Sequence, residues 1–341
     1  MMRLLSIAAS LRLTFPAMLA LVVGVLVSYR GGFDSHWWVS APLLVLAVNL
    51  AAALVVHPRF RRQPGLLCFH LALLAVLVLG ATEQLRRFEG RVELLVGEAF
   101  NARNVQTQAA GPLYGVDRLR GVAFRQDHFS VDYGPNLTRR KTRSHVNLVG
   151  QGDEPVVFGD TRPLGIAGFH FHTTSNKGYA ALLRWQERDA KPALGAVHFP
   201  SYPLQDWQQV NRWTTPGGSE LTLELVFPEH APDTRAWRLD SRNASRMPVK
   251  LRVRGRGRDF ELERGQWLSI AGGRLRFDEL RMWMGYQISF NPLLAWLLAA
   301  GTVGIAGLAW HFWQKLWSRP LPAGGGQLPS KRRRDAAVVH T

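Results

Sequence analysis

One histidine lies inside an apolar, leucine-rich stretch, "GLLCFHLALLAVLVLGAT", and it is the first residue whose type and position could support chemistry. The stretch, residues 65–82, is long enough to cross a bilayer as a helix. An ionisable group there is costly, and such residues usually face a bundle interior or a water-filled cavity. His70 is therefore a candidate functional residue, suited to act as an axial haem ligand, a metal relay or a proton relay. In the competing interpretation, its imidazole hydrogen-bonds a neighbouring helix, for example at Asn49, for packing alone.

A second pair of histidines stands in the sequence "FHFHTT". On a strand, His170 and His172 would project from one face, while Phe169 and Phe171 would point into the core. Two imidazoles on one face can bind zinc or copper, but a closed metal site needs further ligands. Neither a cysteine nor an acidic cluster nearby in the sequence supplies them. A plain, half-buried strand is therefore the favoured interpretation.

The formal net charge of +17 would ordinarily indicate nucleic-acid binding. The basic residues are instead scattered arginines, or clusters beside apolar stretches, where they orient membrane proteins. The sequence has neither zinc-finger spacing nor an RRM-like aromatic motif, so no nucleic-acid partner is expected. The single cysteine, Cys68, excludes an intramolecular disulfide, a CxxC redox pair and a CxxCH haem-attachment site. GxSxG, HExxH and P-loop motifs are also lacking, which leaves catalysis by this chain uncertain.

Four apolar stretches indicate membrane-spanning helices, three near the N-terminus and one near the C-terminus. They cover about residues 13–29, 37–56, 65–82 and 291–316. A cleaved signal peptide is the less favoured interpretation of the first stretch, because no clear cleavage site follows it. The predicted fold class is a membrane protein with four transmembrane α-helices, arranged three plus one around an extracytoplasmic, mainly-β domain.

Charges in the short loops set the expected orientation. The loop between the second and third helices carries Arg59, Arg61 and Arg62, and the tail, residues 317–341, contains the run "KRRR". Both termini are therefore predicted to be cytoplasmic in a bacterial inner membrane, with residues 83–290 in the periplasm. The tail is predicted to be disordered, with its basic run near the lipid bilayer.

The segment between the third and fourth helices has the alternating pattern of half-buried strands. The sequence "SELTLELVF" places four apolar residues on one face: Leu221, Leu223, Leu225 and Phe227. In "VKLRVRGRGRDFELERG", three apolar residues alternate with basic ones: Val249, Leu251 and Val253. A β-sandwich or an open barrel is the expected architecture of this domain.

Several of these stretches resemble the ResB (CcsB) family of System II cytochrome c maturation. The stretch "CFHLALLAVLVLGA" is similar to the family's third helix, and the order of three helices, a β-rich domain and a final helix also matches. "FSVDYGPNLTRRKTRSHVNLV", "RPLGIAGFHFHTTSNKGYA" and "MWMGYQISFNPLLAWLLAAGTVGIAGL" resemble further segments of the family. The chain departs from the family pattern at Phe171-His172-Thr173, where the family has "FYQ", and at Asn291-Pro292, where it has "DP".

The resemblance implies that this protein works with a CcsA-type membrane partner, which carries a tryptophan-rich haem motif. Together they would export haem and support its covalent attachment to the CxxCH sites of apocytochrome c. His70 would then be a haem ligand near the cytoplasmic side, paired with a histidine of the partner. The alternative is a non-enzymatic membrane scaffold or apoprotein-binding assembly factor in which His70 only packs.

A third hypothesis is a metal transporter that uses histidines. It is disfavoured because a transporter should have several polar groups converging near the midplane of the membrane, whereas each span here carries at most one or two. The sequence does not indicate which histidines of the middle domain are functional. These are His128, His145, His170, His172, His198 and His230.

Overall fold

The computed structural model of the protein describes residue 5 and residues 7–30, 36–150, 155–187, 191–203, 209–228, 236–255, 257–270 and 272–317. Within these residues the long helices are α1 (Leu11–Arg30), α2 (His36–Val56), α3 (Pro64–Arg86) and α4 (Leu294–Trp317). A single helical turn, Arg59–Arg62, precedes α3. All four long helices have the length and apolar composition needed to cross a membrane. Three of them precede a mainly-β domain and one follows it, as the sequence predicts.

Helix α3 extends about one turn beyond the predicted apolar stretch, to Arg86. Its polar end is held because Glu83 is buried and accepts a hydrogen bond from the backbone N–H of Leu293, 2.9 Å away. A carboxylate beside the first turn of α4 is also favoured by the dipole of that helix. Trp317, predicted to begin the tail, is instead the last residue of α4, and residues 318–341 lie outside the described residues.

Helices α3 and α4 pack closely because glycines line their contact. A Cβ atom added at Gly307 would lie 2.8 Å from the backbone nitrogen of Phe69 and 3.1 Å from Sγ of Cys68. A Cβ atom at Gly65 would similarly lie 2.6 Å from the backbone nitrogen of His311. Small residues allow the backbones of membrane helices to approach in this way.

Replacing Gly307 by alanine is expected to cost about 1–3 kcal/mol in the free energy of unfolding, because the two helices must move apart. Gly301 on the same helix is the matched control, since a Cβ atom there meets nothing within 4 Å. Gly301→Ala should be neutral, or stabilise by up to about 1 kcal/mol through helix propensity. Thermal unfolding of both variants in detergent tests this, and equal effects at the two positions would contradict it.

The β domain is defined as residues 88–290, and its described residues form three antiparallel sheets. Its strands are β1 (Phe88–Leu95), β2 (Gln106–Ala110), β3 (Phe124–Tyr133), β4 (Arg139–Leu148), β5 (Val156–Gly159), β6 (Leu164–Ile166), β7 (Phe169–Gln186), β8 (Ala193–Ser201), β9 (Val210–Thr214), β10 (Glu220–Val226), β11 (Trp237–Asp240), β12 (Lys250–Gly255), β13 (Arg258–Leu262), β14 (Trp267–Ile270) and β15 (Gly273–Phe290). The seven-stranded sheet has the order β2-β1-β15-β7-β6, with β14 beside β15 and β8 beside β7. The two four-stranded sheets have the orders β11-β3-β4-β5 and β13-β12-β10-β9.

One apolar core joins the three sheets. The predicted alternation in β10 and β12 is confirmed, because these strands bury the following residues: Leu221, Leu223, Leu225, Leu251 and Val253. The seven-stranded sheet contributes Phe169, Phe171 and Ile288, all with no exposed surface. Strands β10 and β12 therefore each have one core face and one outward face, as period-two patterning requires.

Strands β7 and β15 pair over most of their 18 residues each. At about 3.3 Å per residue, strands of this length span roughly 60 Å. Phe88, Phe290 and Phe169 lie side by side across β1, β15 and β7. Because α3 ends just before Phe88 and α4 begins just after Phe290, this end of the sheet is the one nearest the helices.

Candidate functional site

His70 lies in the second turn of α3 and is half-buried. Its Nδ1 is 2.8 Å from the carbonyl oxygen of Leu66, one turn earlier in the same helix. A carbonyl oxygen can only accept a hydrogen bond, so this contact requires the proton on Nδ1. In the neutral imidazole, Nε2 then carries the lone pair that could bind a metal.

The imidazole of His70 has aromatic neighbours. Its centroid lies 4.6 Å from the ring of Phe60, in the turn before α3, and 5.1 Å from the ring of Phe69. In the part of the chain that the structure describes, no side chain hydrogen-bonds Nε2 of His70. Within the described residues, the lone pair of this nitrogen is therefore not engaged in a hydrogen bond.

The suggested hydrogen bond between His70 and Asn49 is not formed. Asn49 of α2 instead accepts a hydrogen bond from Thr14 of α1 at 2.9 Å. Its amide group donates to the carbonyl oxygens of Ala8, at 2.5 Å, and Ser10, at 3.2 Å. Asn49 thus joins α1 to α2, while the packing contact of His70 is made to its own helix through Leu66.

The predicted arrangement of His170 and His172 is confirmed. Both side chains are exposed on one face of β7, and Phe169 and Phe171, which alternate with them, are fully buried. Among the described residues no group of three or more His, Cys, Asp or Glu side chains could hold a metal ion. Neither imidazole has a hydrogen-bond partner within those residues.

The two histidines share their face of the sheet with polar residues of β15 and β1. His172 lies opposite Gln287, which in turn lies opposite Arg91. Two residues nearer the helices, His170 lies opposite Ser289, which lies opposite Glu89. We term this surface the histidine face; its residues are Glu89, Arg91, His170, His172, Gln287 and Ser289.

Side-chain contacts order part of the histidine face. Nε of Arg91 donates a 3.0 Å hydrogen bond to Oε1 of Gln287, and Gln287 donates a 2.8 Å bond to Gln108. Burial, followed by the charge of His170, lowers the pKa of His172. His172 is therefore neutral at neutral pH and retains a lone pair for metal binding.

A polar cleft of about 650 Å³ adjoins the histidine face on the side away from the helices. It shares Arg91 with the face and is also lined by Glu93, Asn176 and His198. Nδ1 of His198 lies 2.7 Å from Oε2 of Glu93, and its ring stacks on Trp283 at 5.5 Å. His198 is therefore held firmly, with its outward position fixed by two contacts.

A large bulge forms part of the cleft wall. Three residues of β7, Thr174 to Asn176, stand opposite the single residue Gly285 of β15. A Cβ atom at Gly285 would lie 2.8 Å from Oγ1 of Thr174, which donates a hydrogen bond to the Gly285 carbonyl. Bulges of this kind redirect side chains and are common beside functional sites.

Comparison with known proteins assigns the chain to a family. The model of the ResB-like family matches residues 58–230. The chain belongs to the ResB-like family. The matched part of this ResB-like chain includes α3 with His70 and most of the β domain, including the histidine pair of β7.

The ResB-like chain has a further likeness among solved structures, to one titled "Cytochrome c Heme Lyase CcmF". The identity is 16% and the TM-score is 0.29. The likeness covers 89% of this chain and 35% of that one, so the chain spans about a third of the solved protein's length. No curated protein matches the chain.

Sequence reasoning singled out His70 and the pair His170 and His172 but missed Arg91, Glu93 and the bulge. The stretch "FEGRVELL" does contain the relevant signal, because its apolar residues alternate with Glu89, Arg91 and Glu93. That alternation predicts a strand with a charged outward face. The register that brings Arg91 level with His172 depends on pairing over nearly 200 residues, and no local pattern encodes it. His230 lies outside the described residues.

Proposed function

We propose that this protein is a haem-handling subunit of cytochrome c biogenesis. It works with a CcsA-type membrane partner, and together they deliver haem for covalent attachment to apocytochrome c. The observation that carries this proposal is the ResB-like match over residues 58–230, which takes in His70. The geometry of that histidine supplies a chemical role for the chain in the process.

His70 has the properties of an axial haem ligand. The bond from Nδ1 to Leu66 leaves Nε2 as the free nitrogen, and Phe60 and Phe69 give it an apolar, aromatic setting. A neutral imidazole binds haem iron without needing a counter-charge inside the membrane. A further ligand for the iron would come from a histidine of the partner, as the resemblance implies.

The orientation proposed for the chain follows from the charged loop before α3. Arginines 59, 61 and 62 would lie on the cytoplasmic side of a bacterial inner membrane. Both termini would then be cytoplasmic and the β domain periplasmic. His70, six residues after Pro64, would lie about 9 Å inside α3 from its cytoplasmic end.

The chain's own part in the reaction is to bind and to orient. Haem, when bound, supplies the vinyl groups to which the thiols of apocytochrome c add. His70 would hold the iron of haem, and the rings of Phe60 and Phe69 beside it would help to exclude water from the imidazole. We expect the partner to carry most of the catalysis, because this chain lacks recognisable catalytic sequence motifs.

The test is co-expression with a CcsA-type partner, purification in mild detergent and measurement of Soret absorbance per protein. His70→Ala should lose most of the absorbance, and added free imidazole should restore part of it by occupying the vacated ligand position. His57→Ala is the matched control, because His57 is exposed near the same end of the helices, 6.5 Å from the Phe60 ring.

Equal Soret absorbance in the wild type and in His70→Ala would remove His70 as a ligand. If neither protein carries haem, the scaffold function takes the place of the haem-handling one. The bond from His70 to Leu66 is compatible with both functions, since a histidine used for packing could also make it.

A further inference from the structure

The segment after β2 extends past the sheet and along the end of helix α3. The backbone N–H of Gly111 donates a 2.9 Å hydrogen bond to the carbonyl oxygen of Arg87. Two residues later, the N–H of Leu113 donates a 2.8 Å bond to the carbonyl oxygen of Leu85. The segment therefore runs towards the membrane-spanning part of α3 and reaches the last turn of that helix at Leu113.

A tight turn, residues 111–114, reverses the chain at this point, and we term it the boundary turn. The N–H of Tyr114 donates to the carbonyl oxygen of Gly111, 2.9 Å away, which closes the turn. Gly111 is required there, because a Cβ atom would lie 2.2 Å from the carbonyl oxygen of Leu85. The ring of Tyr114 stacks on Phe88 at 4.6 Å, so the boundary turn is also fixed to the sheet.

The boundary turn lies at the level where α3 and α4 would leave a bilayer. Helix α3 has 23 residues and rises about 34 Å, slightly more than the roughly 30 Å hydrocarbon core of a membrane. Its last turn is therefore expected where acyl chains and headgroups meet. The start of α4 is at the same level, since the N–H of Leu293 is bonded to Glu83.

The boundary turn has an apolar tip with a cation beside it. Leu113 is 63% exposed although its backbone lies against a membrane-spanning helix. Arg118, which follows the turn, holds its guanidinium 5.5 Å from the centroid of the Phe290 ring, just before α4. Arg118 has no carboxylate within ion-pair distance among the described residues, and the neighbouring Asp117 pairs with Arg120 instead.

We propose that the boundary turn binds an anionic lipid bilayer, with Leu113 among the acyl chains and Arg118 bound to a headgroup phosphate. An apolar tip beside an unpaired guanidinium is complementary to the region where acyl chains and anionic headgroups meet. Arg86, in the last turn of α3, is a second cation at this level without a carboxylate partner in the described part of the chain.

The lipid contact would hold the β domain in a fixed position above the membrane. The boundary turn is bonded to α3 through Leu113 and packed on the sheet through Tyr114, so its anchoring reaches both parts of the protein. The proposal assumes, as the proposed function does, that the helices cross a membrane. It involves neither haem nor His70.

The position of Leu113 is tested by lipid quenching of a fluorophore in nanodiscs that contain nitroxide-labelled lipid. Cys68 is the only cysteine, so Cys68→Ala provides a background in which Leu113→Cys is labelled alone. This label should lose most of its fluorescence. Leu298→Cys, at a position 65% exposed on α4, should be quenched as well. Leu194→Cys should not be quenched, because Leu194 is 64% exposed but lies roughly 45 Å along the sheet from the helices.

The headgroup contact is tested with the label at Leu113 and two nitroxide lipids, anionic phosphatidylglycerol and zwitterionic phosphatidylcholine. Arg118→Gln should lower the preference for the anionic lipid about fivefold, the effect of one cation at an anionic surface. Arg118→Lys should keep most of the preference, which separates the charge from the ring contact with Phe290.

Arg258→Gln is the matched control for the charge. Arg258 is exposed and has no carboxylate partner within the residues that the structure describes. It lies beside Ile270, which pairs with Gly273 at the end of β15 farthest from the helices. This variant should leave the lipid preference unchanged. An equal fall in Arg118→Gln and Arg258→Gln would overturn the headgroup contact, because the preference would then reflect the overall charge of the protein.

The quenching pattern separates the boundary turn from the membrane helices. If the label at Leu298 is quenched and that at Leu113 is quenched no more than that at Leu194, the turn faces water or another protein chain. The proposal is then wrong, while the membrane placement of the helices stands. If the label at Leu298 is not quenched either, the helices do not lie in the bilayer and both are wrong. Soret absorbance tests His70 separately, so the haem-handling function does not depend on these outcomes.

Discussion

Replacing Tyr286 by alanine is expected to lower the free energy of unfolding of the β domain by about 3–5 kcal/mol. The side chain of Tyr286 has no exposed surface and packs against Phe158 with the ring centroids 5.7 Å apart. Its removal would leave a cavity between two sheets and would also abolish a buried hydrogen-bond network. Both losses act in the same direction.

The network joins the seven-stranded sheet to the sheet that contains β3 and β4. The hydroxyl of Tyr286 donates to Oε1 of Gln126, and it lies 2.7 Å from Oγ of Ser144. Gln126 and Ser144 are themselves fully buried. Burial raises the pKa of Tyr286, which keeps this donor protonated well above neutral pH.

Tyr286→Phe separates the two contributions. It keeps the ring and removes the hydroxyl, so the expected loss is about 1–3 kcal/mol for the polar groups left with fewer partners. The bond between Gln126 and Ser144, at 3.2 Å, should limit that loss. Thermal unfolding followed by tryptophan fluorescence measures both variants. Val149→Ala is the control, because Val149 is 72% exposed and should change stability by less than about 0.5 kcal/mol.

An equal cost for Tyr286→Phe and Tyr286→Ala would contradict this account, since it would mean that the ring contributes nothing. If Tyr286→Phe leaves the free energy of unfolding unchanged, the hydrogen-bond network does not contribute to the stability of the domain. The contribution from packing of the ring would still stand.

The elements that sequence reasoning predicted best are those with strict local periodicity. Leu221, Leu223 and Leu225 alternate with polar residues, and a strand is the backbone that buries all three on one face. The helices are predictable for a similar reason, since a long apolar run of this kind is typical of a membrane-spanning helix. Their ends were less predictable, because the polar end of α3 depends on the distant contact between Glu83 and Leu293.

In the candidate sites, too, local features are predictable from the sequence and distant contacts are not. His70 is conspicuous in sequence because its neighbours are all apolar, whereas its actual partner, Leu66, follows from helix geometry that hydropathy does not describe. The pairing of Asn49 was mispredicted since a competing donor, Thr14, comes from a different helix. The position of Arg91 level with His172 is evident only when the register of β1, β15 and β7 is known.

The bulge in β7 shows most clearly what a local sequence pattern cannot predict. Its sequence, "TSNK", is typical of an exposed polar turn, yet Lys177 is only 2% exposed. Nζ of Lys177 donates a 3.0 Å hydrogen bond to the carbonyl oxygen of Ser175 and lies 5.6 Å from the centroid of the Tyr133 ring. Lys177 thus supports the bulge, and with it the cleft wall, from inside the core.

Replacing Lys177 by methionine is expected to stabilise the β domain at neutral pH. Burial, together with the nearby charge of Arg139, lowers the pKa of Lys177 from 10.5 to about 8, and Asp160 only partly offsets this. A shift of that size corresponds to about 3 kcal/mol of unfavourable interaction in the charged form. Losing the hydrogen bond to Ser175 would cost about 1 kcal/mol. The net gain is therefore about 2 kcal/mol, as for other buried charges replaced by apolar groups of similar volume.

The gain should disappear as the pH rises. The unfolded chain keeps the Lys177 proton up to its ordinary pKa of 10.5, whereas the folded chain releases it near 8. Between these values the unfolded state binds more protons, so the stability of the wild type rises with pH. Below pH 8 both states are protonated and the full cost of the buried charge remains. Above pH 10 the buried tyrosines act in the opposite direction, because burial raises the pKa values of Tyr133 and Tyr179.

Denaturant unfolding of the wild type and Lys177→Met at pH 7 and pH 9.5 tests this prediction. The difference in the free energy of unfolding should fall from about 2 kcal/mol to near zero over that interval. Lys250→Met is the control, because the side chain of Lys250 is 48% exposed and 3.8 Å from both Glu261 and Glu263, so it should show little gain at either pH. If Lys177→Met is instead less stable at both pH values, the bond to Ser175 outweighs the burial of the charge. The bulge beside the histidine face would then depend on a charged lysine, and removing that charge should also change the cleft.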